Sequence, residues 1–424
     1  MKKSFGLLGE KLSHSYSPLI HSFLGEYDYP LYEIDPCDLD AFMTERHFDG
    51  INVTIPYKRQ VVAYCATLSK EARAIGSVNT IIKDEDGALH GYNTDYYGFY
   101  TMLKYAAIDP AGKKTLILGD GGAAQTVKTV LNDLKAREIV TISRRGENHY
   151  GNIALHHDAE LIVNTTPVGM YPENGVSPIS LEGFRQLTGL ADLIYNPLRT
   201  MLLLEAERLG LPFANGLMML TAQAEMASRL FLDIPSRPEL AYAAHNAILR
   251  KNRNIALIGM PGCGKSAAGR VLARILERAF VDIDDEIEAT AGKNIPSIFA
   301  EDGEETFRRL ETRVLAEATK KNGLVIATGG GVVTRPENYY LLRQNSLIIY
   351  LARDQATLET EGRPLSMGGE GLPKLAARRL PLYETWSDRT VQVEPDAEQT
   401  AKKISESIDG TVGDGTFLSP NCLS

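Results

Sequence analysis

Two glycine-rich loops, each directly after an apolar run, constrain this 424-residue chain more than any other feature. The first loop spans residues 119–124 and follows the apolar run 115–118. The second spans residues 259–266, has the complete G-x-x-x-x-G-K-[ST] pattern, and follows the run 254–258. In loops of this kind, backbone amides at the start of a helix hold phosphate groups. The sequence therefore predicts two nucleotide-binding α/β units, one of the dinucleotide type and one of the P-loop type.

Composition excludes several other classes of protein. The formal net charge is −9 and no Lys/Arg run stands out, which argues against general nucleic-acid binding. No apolar run approaches the ~20 residues that cross a bilayer, and the N-terminus lacks a signal-peptide core. The four cysteines are scattered, with neither metal-ligand spacing nor a disulfide framework. We therefore expect a cytoplasmic protein that acts on small molecules, without nucleic-acid or membrane partners; its oligomeric state stays open.

Strand-like and helical patterns alternate along the whole chain, which predicts an α/β fold with mainly parallel sheets. The strand-like runs are residues 4–9, 50–55, 115–118, 138–143, 161–164, 191–195, 254–258, 324–327 and 346–351. The helical patterns include residues 123–135, 198–209, 238–249 and 267–276.

The clearest joint in the chain lies at residues 250–253, between a helical pattern and the strand that leads into the P-loop. It is short and basic and has no Gly, Pro or Ser, so we expect a tight connection rather than a flexible tether. A softer boundary lies near residues 98–113. The Gly-, Ser- and Asp-rich tail, residues 409–424, is expected to fray.

Residues after the second strand of the dinucleotide unit indicate which cofactor it prefers. Folds that select NAD usually have an acid there for the ribose, but this chain has Ser143, Arg144 and Arg145. Two cations suit the 2′-phosphate of NADP, although a solvated basic turn is the alternative. The residues predicted to hold the cofactor are Gly119, Gly121, Gly122, Ala123, Ser143, Arg144 and Arg145.

Polar residues crowd the loops of the N-terminal part. Residues 12–18 bring several hydroxyls together directly after a strand, and residues 52–58, 78–80 and 91–95 add amides, hydroxyls and charges. Such a set suits a carboxylate or a polyol, whereas a Ser-rich turn alone is unspecific.

With these motifs in order, residues 1 to about 246 resemble shikimate dehydrogenase. The matching positions are Ser15 and Ser17, residues 52–58, residues 93–95, the loop at Gly119, residues 164–170, and Asn215 and Gly216 with Met219, Leu220 and Gln223. The resemblance implies an α/β substrate-binding domain at residues 1–98, completed by a C-terminal helix at about 217–248. It also implies a Rossmann NADP-binding domain at residues 99–216, with Gly216 beside the cofactor.

The same resemblance implies that Lys58 and Asp95 form the catalytic pair. As hydride reaches a carbonyl carbon, the oxygen gains charge and must take a proton, which an ammonium oriented by a carboxylate can deliver. The alternative is an exposed ion pair without a catalytic role, which would contribute little to stability. The implied substrate-binding residues are Ser15, Ser17, Thr54, Asn79, Asp95 and Gln223. Two positions depart from the family: Asp120 replaces the usual Ala, and Ser143 the usual Asn.

The P-loop itself assigns roles to four residues. Amides around Gly262 and Gly264 cradle phosphates, Lys265 neutralises the transferring oxygens, and Ser266 holds Mg²⁺. Further along the chain come two aspartates after a strand, a glycine triplet and three arginines: Asp282, Asp284, Arg308, residues 329–331, Arg363 and Arg379.

This ordered set is similar to shikimate kinase over residues 253–408, which implies a P-loop domain like that of the nucleoside monophosphate kinases. The resemblance implies that shikimate is held by Asp284, Arg308, Gly330 and Arg379. It also implies that Asp282 assists Mg²⁺, that Asp284 takes the proton of the accepting hydroxyl, and that Arg363 lies in a lid over ATP.

The combined interpretation is an enzyme with two consecutive activities, NADPH-dependent reduction of 3-dehydroshikimate and Mg·ATP-dependent phosphorylation of shikimate. Its catalytic residues would be Lys58, Asp95, Lys265, Asp284 and Arg363. Two alternatives stay open. One is a non-catalytic sensor of shikimate or quinate built on the same folds. The other is a dehydrogenase that oxidises quinate or prefers NAD.

Overall fold

Three β-sheets, each with its own helices and core, make up the chain in this computed structural model, which describes residues 3–13, 15–354 and 371–409. The α/β prediction is confirmed, and both glycine-rich loops join a strand to a helix as expected. The predicted lid residue Arg363 lies outside the described residues, as does the tail beyond residue 409.

The first sheet is mixed rather than parallel. Its strands are β1 (Phe5–Gly9), β2 (Leu31–Glu33), β3 (Gly50–Val53), β4 (Thr67–Leu68), β5 (Thr80–Lys83) and β6 (Leu89–Tyr92), in the order β2-β1-β3-β5-β6-β4. Strand β5 runs antiparallel to β3 and β6. A tight turn closed by the Ala88 carbonyl and the Asp84 amide links β5 to β6, and only antiparallel neighbours can be joined so briefly. The associated helices are α1 (Ser17–Leu24), α2 (Leu39–Glu45) and α3 (Lys70–Ile75).

The second sheet is entirely parallel. Helix α4 (Asp95–Tyr105) leads into strands β7 (Lys114–Leu118), β8 (Glu138–Ile142), β9 (Leu161–Asn164), β10 (Gly189–Asp192) and β11 (Phe213–Ala214), in the order β11-β10-β9-β7-β8. Helices α5 (Gly122–Asp133) and α6 (Met201–Arg208) connect them. The run predicted at 191–195 is displaced, because the Asp192 carboxylate accepts the Ile194 amide and turns the chain out of the sheet.

Two helices then return to the first sheet. Helix α7 (Leu217–Leu232) packs against α4, and α8 (Pro238–Asn252) packs against α7 and α1. The approach of α4 to α7 depends on Gly98, where a Cβ atom would lie 2.6 Å from the carbonyl oxygen of Met219. This close packing brings the start of α4 and the side of α7 to one place beside the first sheet.

The third sheet, also parallel, carries the P-loop. Its strands are β12 (Asn254–Ile258), β13 (Phe280–Asp282), β14 (Val325–Ala327), β15 (Ser346–Ala352) and β16 (Arg389–Gln392), in the order β13-β14-β12-β15-β16. Its helices are α9 (Lys265–Ile275), α10 (Ile283–Ala291), α11 (Ile295–Thr319), α12 (Pro336–Arg343), α13 (Gly371–Trp386) and α14 (Ala397–Asp409).

The joint predicted at residues 250–253 is the last turn of α8 rather than a separate linker. The helix runs to Asn252 and β12 begins two residues later. The Gly323 amide donates to the Asn252 carbonyl at 2.8 Å, and the Arg278 guanidinium donates to the Arg253 carbonyl at 2.7 Å. The helix that completes the N-terminal part is therefore attached directly to the third sheet.

A second contact joins the third sheet to the dinucleotide unit. Arg343 forms ion pairs with Glu207, at 2.7 Å, and with Asp388. Burial alone would raise the pKa of Glu207, but Arg199 and Arg343 hold it below its ordinary value. Beside this cluster, the Gln344 side-chain amide donates to the Asn174 carbonyl at 2.9 Å. These side chains are only partly exposed and are hydrogen-bonded, so the ion pairs help to hold the two parts together at this surface.

The contact uses one particular edge of the third sheet. Residues 319–324, 343–345 and 388 precede β14, β15 and β16, and so they lie at the amino ends of parallel strands. The P-loop follows β12 and the glycine triplet 329–331 follows β14, at the carboxyl ends. The phosphate-binding edge of the third sheet is therefore opposite to the edge that contacts the rest of the chain.

Candidate active sites

Lys58 and Asp95, predicted as a catalytic pair, are in contact. The Lys58 Nζ donates to the Asp95 Oδ2 at 2.5 Å. Lys58 follows β3 in the motif 52–58, and Asp95 is the first residue of α4. The lysine side chain is 32% exposed and the aspartate 17%, so the pair is open to a ligand on one side yet partly shielded from water.

The pair borders a cavity of about 560 Å³ between the first and second sheets. Every residue that the resemblance to shikimate dehydrogenase implies for substrate binding lines it: Ser15, Ser17, Thr54, Asn79, Asp95 and Gln223. Helix α7 brings Gln223 to this cavity from a position far along the chain. Leu193 and Tyr195, which follow β10, and Gly216, which follows β11, also line the cavity.

A buried hydrogen-bond network holds the polar floor of the cavity. The Asn79 Nδ2 donates to the Thr94 Oγ1 at 3.0 Å, and that hydroxyl donates to the Gln223 Oε1 at 3.2 Å. Asn52 is connected to this network through Thr80, because the Asn52 Nδ2 donates to the Thr80 Oγ1 at 2.9 Å. The Tyr29 hydroxyl in turn donates to the Asn52 Oδ1 at 2.6 Å. Both Asn52 and Thr94 lie within the motifs 52–58 and 93–95, but the sequence predicted no role for either residue. The available signal was that Thr94 directly precedes Asp95 and that Asn52 lies two residues before Thr54.

Gly216 is required by packing at the cavity wall. A Cβ atom there would lie 2.0 Å from the Leu193 carbonyl oxygen, so no larger residue fits without moving the end of β10. Close by, Asp192 accepts hydrogen bonds from the Asn164 side-chain amide at 3.0 Å and from the Thr200 hydroxyl at 2.7 Å. Burial raises the pKa of Asp192 to about 7, although these donors oppose the shift. The network ties together the loops after β9 and β10, which face the cofactor edge.

The dinucleotide loop leaves open space at the start of α5. Gly119 has a φ of 97°, and a Cβ atom there would lie 2.8 Å from Thr166. Around Gly121 and Gly122 the space is open, and no side chain caps the start of α5. The first amides of that helix can therefore bind an anion. Asp120, the unusual acid in this loop, is exposed to solvent, which reduces its repulsion of a bound phosphate.

Ser143 shapes the basic turn that follows β8. Its hydroxyl donates to the Arg145 carbonyl, and its amide donates to the Asn148 carbonyl at 3.1 Å. Arg144 and Arg145 are exposed at the carboxyl end of the strand next to the dinucleotide loop. Burial raises the pKa of Tyr150, as does the nearby Asp120 carboxylate, while Arg144 lowers it. The basic turn thus lies beside the dinucleotide loop.

The P-loop adopts the conformation that its glycines permit. Gly259, Gly262 and Gly264 have φ angles of 149°, 80° and 98°, which only glycine adopts readily. The Nζ of the buried Lys265 donates to the Gly259 and Met260 carbonyls, both at 2.9 Å. The lysine side chain therefore folds back onto the loop.

Ser266 and Asp282 fit the Mg²⁺ that accompanies a nucleotide. Ser266 is exposed in the first turn of α9, and Asp282 is a buried carboxylate at the end of β13. Within the described ranges, no group of three or more His, Cys, Asp or Glu side chains could hold a metal alone. Mg²⁺ in nucleotide sites usually takes one or two protein ligands and completes its shell with phosphates and water.

The residues predicted to hold shikimate in the P-loop unit surround the glycine triplet. The Arg379 Nη1 donates to the Gly330 carbonyl at 3.1 Å, and a Cβ atom on Gly331 would lie 2.1 Å from the Arg308 guanidinium. Asp284 borders Gly329, where a Cβ atom would lie 3.0 Å from its Oδ1. Larger residues in the triplet would displace this charged cluster.

Sequence reasoning did not assign a role to two residues that support this cluster. Glu311 is fully buried and accepts from the Arg308 Nη1 at 2.7 Å. Burial raises the pKa of Glu311, although Arg308 opposes the shift. The Tyr383 hydroxyl donates to the Gly330 carbonyl, which Arg379 also contacts. The i, i+3 spacing of Arg308 and Glu311 on α11 was the signal for the first.

Comparisons with known proteins agree with this division of the chain. Residues 7–81 match the shikimate dehydrogenase substrate-binding domain, and residues 261–409 match shikimate kinase. An NADP⁺ shikimate dehydrogenase of Clostridium perfringens (strain SM101 / Type A) is 38% identical over 251 residues, which are 54% of this chain and 92% of the relative. The corresponding enzyme of Caldicellulosiruptor bescii is 36% identical, covering 55% of this chain and 90% of the relative.

The chain belongs to the shikimate dehydrogenase family. Its C-terminal part is a shikimate kinase unit, so the two are fused. We call residues 3–252 the dehydrogenase unit and residues 253–409 the kinase unit.

Solved structures agree with the assignment of the dehydrogenase unit. A chorismate mutase/shikimate 5-dehydrogenase fusion protein of Clostridium acetobutylicum has a TM-score of 0.55 and 35% identity, covering 58% of this chain and 97% of that one. The shikimate dehydrogenase of Thermus thermophilus, in complex with NADP(H) and shikimate, has a TM-score of 0.52 and 32% identity, covering 57% and 98%. None of the described helices combines the length and apolar character needed to cross a membrane.

Proposed function

We propose that the dehydrogenase unit reduces 3-dehydroshikimate to shikimate with NADPH and that the kinase unit phosphorylates the shikimate 3-hydroxyl with Mg·ATP. The observation that carries the proposal is the Lys58–Asp95 contact inside a polar cavity, on the same chain as a complete P-loop beside an arginine-rich pocket. We place both reactions in the cytoplasm, with small molecules as the partners.

In the dehydrogenase unit, NADPH held at the loop of residues 119–124 supplies the hydride. Ser15 and Ser17 bind the substrate carboxylate, while Thr54, Asn79 and Gln223 bind hydroxyls. Lys58 donates a proton to the carbonyl oxygen as negative charge develops there, and Asp95 orients the ammonium through their 2.5 Å contact. The partly shielded cavity strengthens these charge interactions relative to bulk water.

In the kinase unit, Mg·ATP held by the P-loop, Ser266 and Asp282 supplies the phosphoryl group. Arg308 and Arg379 bind the shikimate carboxylate, which suits the planar, two-pronged guanidinium group. Asp284 orients the accepting hydroxyl and takes its proton. Lys265 leaves the loop carbonyls to neutralise the transferring oxygens. Arg363, which lies outside the described residues, would add positive charge near the phosphates, as the resemblance to shikimate kinase implies.

The two alternative interpretations have less support. A non-catalytic sensor would not need the Lys58–Asp95 contact and a complete P-loop in one chain. An NAD-preferring enzyme would not be expected to expose two arginines after β8. The decisive experiment incubates the purified protein with 3-dehydroshikimate, NADPH and Mg·ATP and follows NADPH loss and shikimate 3-phosphate together. If NADPH is not consumed, the dehydrogenase assignment fails. If NADPH is consumed but no shikimate 3-phosphate forms, the kinase assignment fails.

Arg144 and Arg145 are expected to set the preference for NADP. Changing both to Gln should raise the KM for NADPH by about tenfold or more and leave the KM for NADH nearly unchanged, because only NADPH has the 2′-phosphate. Steady-state kinetics with both cofactors measures the change. Arg185→Gln, at an exposed position elsewhere in the second sheet's domain, is the matched control. Equal losses for the two cofactors would mean that the arginines act on folding or general steering.

We expect shikimate to pass between the units through solvent. The kinase unit contacts the dehydrogenase unit through the amino ends of its strands, whereas its P-loop and glycine triplet lie at the carboxyl ends. A mixture of Lys58→Ala and Lys265→Ala proteins should therefore form shikimate 3-phosphate with the same lag as wild type at equal site concentrations. A longer lag in the mixture would show that shikimate is transferred directly.

A further inference from the structure

The kinase unit touches the wall of the dehydrogenase substrate cavity at Tyr16. This residue lies between Ser15 and Ser17 in the lining of that cavity, and it also precedes the first residue of α1. Its ring packs edge-on against Tyr195, with ring centroids 6.0 Å apart. Its hydroxyl is 3.4 Å from the side-chain Nδ2 of Asn322, a residue of the kinase unit.

Asn322 is held in place by the kinase unit. Its Oδ1 accepts from the side-chain amide of Asn345, a buried residue, at 2.8 Å. The buried Asn254 side chain fastens the same turn, because its Nδ2 donates to the Lys321 carbonyl and its Oδ1 accepts the Leu324 amide, both at 2.8 Å. The amide of Asn322 is therefore presented to Tyr16 from a rigid support.

The serine loop, whose described residues are 12, 13 and 15–17, is held by short-range backbone contacts and by the Glu33 carboxylate, which accepts the Leu12 amide at 2.6 Å. The Ser15 amide donates to the Leu12 carbonyl at 3.0 Å, and the Ser17 amide donates to the Ser15 Oγ at 3.2 Å. The Tyr16 ring is the large side chain between the two hydroxyls, so its anchorage affects the orientation of both. Preorganised hydroxyls lose less entropy when a ligand binds.

We propose that Asn322 is a positioning residue for the dehydrogenase: through Tyr16 it orients the Ser15 and Ser17 hydroxyls for the substrate carboxylate. The kinase unit thereby completes the dehydrogenase substrate site. This inference rests on the proposed function, because it assumes that the serine loop binds the carboxylate of shikimate.

The test measures the dehydrogenase KM for shikimate and kcat in the full-length protein. Asn322→Ala should raise KM about threefold to tenfold and leave kcat within about twofold, since a long hydrogen bond acts on binding rather than on proton transfer. Asn322→Asp should restore the KM, because its carboxylate accepts from both the Tyr16 hydroxyl and the Asn345 amide. Kinase constants, measured in the same preparations, should stay unchanged throughout the series.

A double-variant cycle tests whether the effect passes through Tyr16. Tyr16→Phe should raise KM like Asn322→Ala, and the double variant should be no worse than either single variant. An unchanged KM in Asn322→Ala would overturn the inference. So would full additivity in the cycle, or a parallel loss of both activities that Asn322→Asp does not restore. Absence of dehydrogenase activity in the wild-type protein would instead contradict the proposed function.

Discussion

Replacing Lys58 by Ala is expected to lower the dehydrogenase kcat by about 10²- to 10⁴-fold, which corresponds to about 3 to 5 kcal/mol in the barrier. The reason is that Lys58 is the ammonium in contact with Asp95 at the cavity wall, and its loss removes the proton donor for the developing alkoxide. The measurement is the rate of NADPH oxidation with 3-dehydroshikimate at saturating substrate.

The kinase unit provides an internal control for this variant. Phosphorylation of added shikimate should be unchanged, because Lys58 lies in the dehydrogenase unit and takes part in none of the contacts described above between the units. Lys104→Ala, at an exposed lysine near the other end of α4, is the matched control and should keep full activity. A dehydrogenase rate within about tenfold of wild type would exclude Lys58 as the proton donor.

Replacing Lys265 by Ala is expected to lower the kinase kcat by at least about a hundredfold, because one preorganised positive group at developing charge contributes on this scale. The Lys265 Nζ now donates to the Gly259 and Met260 carbonyls and is positioned at the rim of the phosphate loop. The measurement is shikimate-dependent ADP formation at saturating Mg·ATP.

Lys265→Met separates loss of charge from loss of packing, because Lys265 is buried and methionine keeps much of its volume. Both variants should lose kinase activity to a similar degree and keep the dehydrogenase. Lys402→Ala, at an exposed lysine of α14, is the control. If Lys265→Met retained kinase activity, the charge of Lys265 would not contribute to phosphoryl transfer.

Local patterns predicted much of the fold. The two glycine-rich loops lie between a strand and a helix as expected, because glycine at φ angles such as 97° at Gly119 and 98° at Gly264 determines the turn. Parallel strands buried on both faces appear as continuous apolar runs, so β7, β9, β12 and β15 were predicted within about one residue. Short strands such as β4 and β11 have only two residues each. They were not predicted, because two residues are too few to show the alternation of apolar and polar side chains that marks a strand.

The candidate sites were predictable in part. Motifs beside strand ends identified the cavity residues because the carboxyl ends of neighbouring strands converge. Supporting residues such as Thr94 and Tyr29 were not singled out, because their hydrogen bonds to Asn79, Gln223 and Asn52 join distant segments. Gln223, for example, meets Thr94 only because Gly98 lets α7 approach α4 closely. Glu311 was given no role, although its contact with Arg308 is local.

The sequence by itself determined two nucleotide-binding units, their order and their chemistry, because phosphate loops and the residues around them are local features. Only the tertiary structure decided how the units meet. The surface around Glu207 and Arg343 and the contact of Asn322 with Tyr16 join residues more than a hundred positions apart. Such contacts follow from which helix faces and strand ends remain for packing once each core has formed. In that packing the P-loop edge of the third sheet faces away from the dehydrogenase unit. The opposite edge, which includes Asn322, contacts the wall of the dehydrogenase cavity.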